Sequence, residues 1–313
     1  MSATLGTLML LAVIGSVRAF SSLSLRPATD KISSRDVELM MAKDNANNSV
    51  FQKGNKGKIL VLGGSGFLGG TIAQRAALEG YSVTSLSRRG KPEKDPKDFT
   101  NDKIDYRIGD ARESLVIENI LDEGDYTAIF HCIGILLDGD SGLRSFNRFV
   151  SGSGSVPEEN ATYDEITRLT AFNAIAAAES YVSKRGGGPL PFIFTSAAEA
   201  GWPDVRGGKF VERTLTPRWL KRYLEAKRSV ENRLMNSPQT LLRPVIFRPS
   251  LIYSLDKIAS LPPWGAFFVG NRVGLPFVDR PVSVQTLSTA AVRSISKEVR
   301  GVQRFKEIDQ LSK

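Results

Sequence analysis

Residues 58–70, Lys-Ile-Leu-Val-Leu-Gly-Gly-Ser-Gly-Phe-Leu-Gly-Gly, constrain the fold more than any other stretch of this chain. An apolar run, Ile59 to Leu62, enters a glycine cluster. An amphipathic segment, Thr71 to Glu79, leaves it, and Gly80 sits where a helix C-cap belongs. The order is strand, tight turn, helix. Such a turn presents backbone N–H groups and the positive end of a helix dipole to an anion. Gly63, Gly66 and Gly69 fall at G-x-x-G-x-x-G spacing, and Gly64, Gly66 and Gly69 at G-x-G-x-x-G. The first glycine allows the sharp turn, the second lets backbone approach a pyrophosphate, and the third lets helix and strand pack closely. The stretch Gly63, Gly64, Ser65, Gly66, Phe67, Leu68 and Gly69 is therefore read as a dinucleotide-binding turn.

The chain has 313 residues, enough for one large α/β domain or two small ones, and its 41% hydrophobic content supports a core. One cysteine, Cys132, and one histidine, His131, rule out an intrachain disulfide and a Cys/His zinc site, so no metal is expected. A Ser-His-Asp triad would need His131. The net charge of +9 suits a phosphate-bearing ligand or an anionic surface. No Lys/Arg block with interleaved aromatics stands out, so no nucleic acid partner is expected.

Leu5 to Val17 is an apolar run too short to span a bilayer, and it ends at Val17-Arg18-Ala19, as a signal segment does. Residues 1–19 are read as signal-like. Residues 20–56, rich in Ser, Asn, Lys and Arg, read as a transit peptide or disordered linker. The Ala19-Phe20 junction resembles the two-part plastid presequence of algae with secondary plastids. A plastid location is expected, with the mitochondrion as the alternative and secretion last.

From residue 57 short apolar runs alternate with helical patterns. Strands are expected at Ile59–Leu62, Tyr81–Ser87, Ile104–Ile108, Thr127–Ile133, Pro191–Thr195 and Thr240–Phe247. Helices are expected at Phe67–Glu79, Ser114–Leu121, Tyr163–Lys184 and Arg218–Met235. Lys91–Asn101 and residues 138–160 read as loops. The rhythm implies a doubly wound parallel α/β sheet of Rossmann type over 57–305, with a small C-terminal substrate-side region over 244–305.

In that architecture the second strand ends at the adenosine ribose, where an acidic residue binds the 2′-hydroxyl of NAD. Here it ends Ser87-Arg88-Arg89. Two guanidiniums and a hydroxyl suit a 2′-phosphate, so NADP(H) is expected in preference to NAD(H), which stays open. Asp110, after the third strand, is read either as a receptor for the adenine amino group or as a helix N-cap.

Tyr223 and Lys227 lie at i and i+4 on one helix face. A phenol has a reference pKa near ~10, and a neighbouring ammonium lowers it. The phenol can then protonate a carbonyl oxygen while a cofactor delivers hydride, and Lys227 can also hold the nicotinamide ribose.

The glycine turn, Ser87-Arg88-Arg89, Tyr223-x-x-x-Lys227 and residues 242–253, Leu-Arg-Pro-Val-Ile-Phe-Arg-Pro-Ser-Leu-Ile-Tyr, resemble an extended or atypical short-chain dehydrogenase/reductase over roughly 57–300. Phe192-Ile-Phe-Thr-Ser196 and Pro281-Val-Ser-Val284 look closest to the branch holding the nucleotide-binding accessory subunit of respiratory complex I and the reductase-like proteins of ubiquinone biosynthesis. The resemblance implies Tyr223 as acid, Lys227 as its lysine, and a serine or threonine after the fifth strand. Ser196 is the candidate hydroxyl, but spacing places Ala197 where the hydroxyl belongs. It also implies either a reductase on a small apolar substrate, a prenylquinone or its precursor, or a non-catalytic NADPH-binding scaffold in a protein complex.

Gly134, after the fourth strand, is expected to let the nicotinamide half approach. His131 is expected in the core, because no carboxylate is at hand to orient it as a base. Asn173 reads as an ordinary buried asparagine. Residues 261–277, apolar with frequent Gly and Pro, are expected to form a wall for an apolar substrate or a peripheral membrane contact.

Overall fold

The structure, a computed structural model, describes residues 56–92, 103–147, 156–214, 216–254 and 279–313. The presequence readings, most of the Lys91–Asn101 loop and the 261–277 wall lie outside the described residues. The strands are β1 (Lys58–Leu62), β2 (Ser82–Ser87), β3 (Ile104–Ile108), β4 (Tyr126–His131), β5 (Leu190–Thr195), β6 (Leu242–Phe247), β7 (Ile252–Tyr253), β8 (Val282–Ser283) and β9 (Gly301–Gln303). Seven of them form one parallel sheet in the order β3-β2-β1-β4-β5-β6-β9, while β7 and β8 pair apart.

The apolar run in β1 does not alternate because both its faces are covered. Ile59 and Val61 enter one core, Leu60 and Leu62 the other, and all four are 0% exposed. The helices are α1 (Phe67–Leu78), α2 (Ser114–Asp122), α3 (Thr170–Arg185), α4 (Gly208–Thr214), α5 (Arg218–Met235), α6 (Val284–Ser296) and α7 (Phe305–Ser312). Residues of α1, α6 and α7 fill the first core, and those of α2, α3 and α5 the second. The small face of α3 (Ala171, Ala174, Ala177, Ala178) is buried and lets that helix lie close against the sheet.

β1 pairs with β2 on one side and with β4 on the other. The winding reverses there, and in such sheets a ligand lies in the crevice beyond the carboxyl ends of the strands at that reversal.

The sequence reading did not include β7, β8, β9, α4, α6 and α7, and it differs in other places too. β4 stops at His131, not Ile133, and the Cys132 N–H makes a final bond back to β1, at the Leu62 carbonyl. The helix expected from Tyr163 opens with a π-helical turn over Asp164–Leu169 before α3. Residues 244–305 complete the sheet through β6 and β9 and the first core through α6, and they also carry the separate β7–β8 pair.

Candidate active site

The glycine turn closes through two backbone bonds, Gly63 N–H to the Leu86 carbonyl at 2.8 Å and Gly66 N–H to the Gly63 carbonyl at 2.9 Å. Gly63 has φ +84°, which side chains other than glycine rarely adopt. A Cβ on Gly64 would lie 2.1 Å from Ser85 Oγ, and one on Gly69 would lie 2.3 Å from the Gly63 carbonyl oxygen. A Cβ on Gly66 would meet only that oxygen, at 3.1 Å. Gly64 and Gly69 thus serve packing, and Gly66 is the least crowded of the three. No side chain caps α1 and no acidic residue stands in its first turn. That environment fits a diphosphate. Leu68 is buried in the core and Phe67 packs against it, so both act through the turn's shape.

Gly69→Ala is expected to lower stability by about 1–3 kcal/mol, since the atoms it meets are backbone and cannot yield. Gly66→Ala is expected to stay within about 1 kcal/mol of the parent in thermal unfolding, yet to lose dinucleotide affinity by titration. Equal affinity in Gly66→Ala and the parent would place the ligand elsewhere.

At the adenosine end, Ser87 Oγ donates to the Gly90 carbonyl at 2.9 Å and closes the turn after β2. Arg88 is exposed and pairs with Glu158 at 2.5 Å. Arg89 is exposed, with no carboxylate partner among the described residues. Asp110 is held by Arg112, whose Nε and Nη2 reach Oδ2 at 2.9 and 2.6 Å, and this keeps its carboxyl below the ordinary range. The N-cap of α2 is Glu113, so Asp110 is not that cap. Asn173 Nδ2 donates to the Ala111 and Arg112 carbonyls at 3.2 and 2.7 Å, bracing the same turn.

At the other end of the crevice Lys227 is 5% exposed, and its Nζ donates to the Thr195 carbonyl at 2.8 Å. Burial pulls its pKa down to about 8, against the opposing pull of Glu231. Glu231 is itself committed to Arg248, at 2.9 and 2.6 Å. A Cβ on Gly134 would approach Lys227 Nζ at 3.4 Å and Thr167 Oγ1 at 3.8 Å. Gly134 therefore leaves a gap bordered by an ammonium and a hydroxyl. Thr167 lies on the π-helical turn, is 0% exposed, and its hydroxyl has no protein partner. Sequence reading missed it, because a threonine in a helical pattern carries no local mark. The extra residue of the π turn is what re-aims such a side chain.

Tyr223 sits one turn before Lys227 on α5, with the lysine Nζ 5.7 Å from its ring centroid. Its ring meets Tyr163 edge-on at 5.7 Å. The phenol pKa is raised, first by burial and then by Glu199 and Tyr163. The expected lowering by Lys227 is absent because that lysine gives up its own proton near pH 8, before the phenol would ionise. Glu199, also missed, lies just beyond β5, and burial pushes its carboxyl up to about 7. Ser196 is buried with an unpartnered hydroxyl. Ala197 belongs to the small apolar cluster, with Ala200 and Leu224, against which Tyr223 packs. A methyl group thus stands on the tyrosine's side of the loop.

His131 is 0% exposed. The Thr170 hydroxyl donates to the Ile166 carbonyl at 2.8 Å and lies 3.0 Å from His131 Nε2, which assigns the proton to Nε2 and leaves Nδ1 unpartnered. Burial, with Lys227 second, lowers its pKa to about 3. Burial also pushes the Cys132 thiol up to about 12, so neither is a base or nucleophile near neutrality. Beyond Tyr223 a cavity of about 320 Å³ is lined by Asp140, Ser141, Arg218, Trp219 and Arg222. Its floor is fixed by Arg222, which bonds the fully buried Asp138 at 3.0 Å and Asp140 at 2.9 Å.

A sheet wound in this order, with a glycine turn after β1, matches the family described as "NAD dependent epimerase/dehydratase family" over residues 59–260. The chain belongs to that family. Among its relatives, MIOREX complex component 2 of Saccharomyces cerevisiae is 24% identical, over 80% of this chain and 98% of that protein. Ligand-free aldohexose dehydrogenase of Thermoplasma acidophilum shares the fold, with a TM-score of 0.53 at 16% identity over 80% of this chain and 92% of that one. So does WbmH of Bordetella bronchiseptica, solved with NAD+, at 0.51 and 17% over 79% and 75%. A family defined by NAD dependence accords with a nicotinamide dinucleotide as the ligand of this glycine turn.

Proposed function

We propose that this epimerase/dehydratase family member is a reductase that takes NADPH in preference to NADH and acts on an apolar carbonyl or quinone-type compound, in prenylquinone metabolism of a plastid or mitochondrion. The observation that carries the reading is the gap beside Gly134, bordered by the buried Lys227 ammonium and the Thr167 hydroxyl on the side of α5 that also bears Tyr223. The turn of Gly63, Gly64, Ser65, Gly66 and Gly69 would hold the diphosphate of a nicotinamide dinucleotide, which would supply a hydride. Arg88 and Arg89 would serve a 2′-phosphate, and Lys227 with Thr167 would hold the far ribose. Tyr223 holds the proton destined for the carbonyl oxygen. Its raised pKa keeps the phenol protonated near neutrality, with a proton to give, and makes it a weaker acid than an ordinary tyrosine.

A second reading has support of its own. Ala197 replaces the hydroxyl beside Tyr223, and one relative is named as a component of a complex. On that reading the chain is a scaffold that NADPH stabilises without turnover. Tyr223→Phe separates the two. An enzyme loses at least about a hundredfold in the rate of NADPH oxidation by short-chain quinones while its NADPH affinity stays level. A scaffold shows no oxidation before or after the change. Thr167→Val, nearly isosteric, is expected to weaken NADPH binding several-fold and leave ADP, which lacks the far ribose, unaffected. Equal weakening of both ligands would assign Thr167 a purely structural part.

A further inference from the structure

Exposed cations cluster on α4, the turn before it and the first turn of α5. Arg206, Lys209, Arg213 and Arg218 are exposed, and Lys221 stands beside them with its Nζ on the Arg213 carbonyl at 2.9 Å. None of the five pairs with a carboxylate among the described residues. The nearby acids are committed elsewhere. Glu212 grips Arg228 at 2.6 and 2.7 Å, and Asp204 faces Arg248 at 3.4 Å. Glu225 is the exposed acid left on this stretch of α5. Phe210, which follows Lys209 on α4, is 66% exposed. Between the two helices lies a shallow recess of about 330 Å³ lined by Pro203, Lys209, Glu212, Arg213 and Lys221.

We propose that α4 and the first turn of α5 dock the protein on an anionic membrane, with Phe210 entering the acyl boundary and the surrounding cations meeting lipid phosphates in and around the recess. A protein partner would need an apolar centre of several side chains, because stable interfaces bury about 800 Å² per side around a desolvated core. One exposed aromatic on a cationic stretch lacks such a centre, but it matches an interfacial wedge, which gains from a single ring and from each cation near the surface. The proposal goes beyond the reductase reading and does not depend on it. Its geometric consequence is that α5, which carries Tyr223 and Lys227, meets the bilayer at its N-terminal turn.

The test is sedimentation of the full chain with vesicles of phosphatidylcholine alone and of phosphatidylcholine mixed with phosphatidylglycerol, at low and high salt. The parent is expected to favour the anionic vesicles and to lose that preference as salt rises. Lys209→Glu combined with Arg213→Glu is expected to reduce partition by tenfold or more, at about 1 kcal/mol per cation. Phe210→Ser is expected to weaken it, and Phe210→Trp to restore it with a blue-shifted emission on binding. These side chains are exposed, and circular dichroism of each variant checks the fold. Equal sedimentation of the charge-reversed variant and the parent overturns the proposal. So does patch-dependent binding to single-stranded RNA or an acidic protein with none to vesicles.

Discussion

Lys227→Met is expected to lose tenfold or more in affinity for NADPH and, at neutral pH, to unfold at a higher temperature than the parent. The two effects have one cause. The ammonium is 5% exposed and its pKa falls from 10.5 to about 8 through burial. A folded-state pKa below the unfolded value means that the folded state holds this proton less tightly. The resulting cost is fully present below about pH 8 and disappears as pH rises toward 10.5. A shift of that size corresponds to up to about 3 kcal/mol, partly offset by the bond to Thr195, which contributes on the order of 1–2 kcal/mol. The residue is retained at a thermodynamic cost, as expected of a group that serves a ligand. The same titration predicts that affinity for the anionic dinucleotide declines as pH rises through about 8 and that Lys227→Met lacks this decline. Calorimetric titration across that range and thermal unfolding of both proteins measure the two halves. A variant that is less stable but binds as tightly as the parent contradicts the assignment.

Acidification is expected to destabilise the parent more steeply than His131→Asn. His131 is fully buried and its pKa falls from 6.5 to about 3. Because the folded pKa lies below the unfolded one, the unfolded chain takes up the proton first. The stability is fully present above about 6.5 and is lost progressively as pH falls toward 3. The full loss is up to about 5 kcal/mol, a large share of the ~5–15 kcal/mol that stabilises a typical domain. Urea unfolding at neutral and mildly acid pH, for parent and variant, isolates this residue from the carboxylates that titrate in both. Parallel pH profiles would show that His131 does not stay neutral in the fold.

The architecture was legible because its signals are local. Ile59–Leu62 is a run without alternation because both sides of β1 are covered, and the glycines follow at the one place where such a strand turns into a helix. The alanine face of α3 was legible for the same reason. β9 was not, since three residues at a sheet edge carry too little pattern, and its pairing with β6 bridges residues far apart in sequence. In the candidate site, sequence named residues but not their partners. Arg88 meets Glu158, seventy positions away. Lys227 turns to a main-chain carbonyl instead of the phenol it was expected to tune. Thr167 depends on a π turn that no propensity announces. Ala197 shares a small apolar cluster with Tyr223, while Ser196 is buried next to it with no protein partner for its hydroxyl.

The account rests on a nicotinamide dinucleotide lying across the turn from Gly63 to Gly69. Isothermal calorimetry of the folded chain with NADPH and NADH tests it most directly. Saturable binding of both is predicted, with NADPH tighter by an amount that Arg89→Ala reduces, and with affinity lost in Gly66→Ala at unchanged stability. Absence of heat from either dinucleotide at saturating concentration, in protein that unfolds cooperatively, would contradict it.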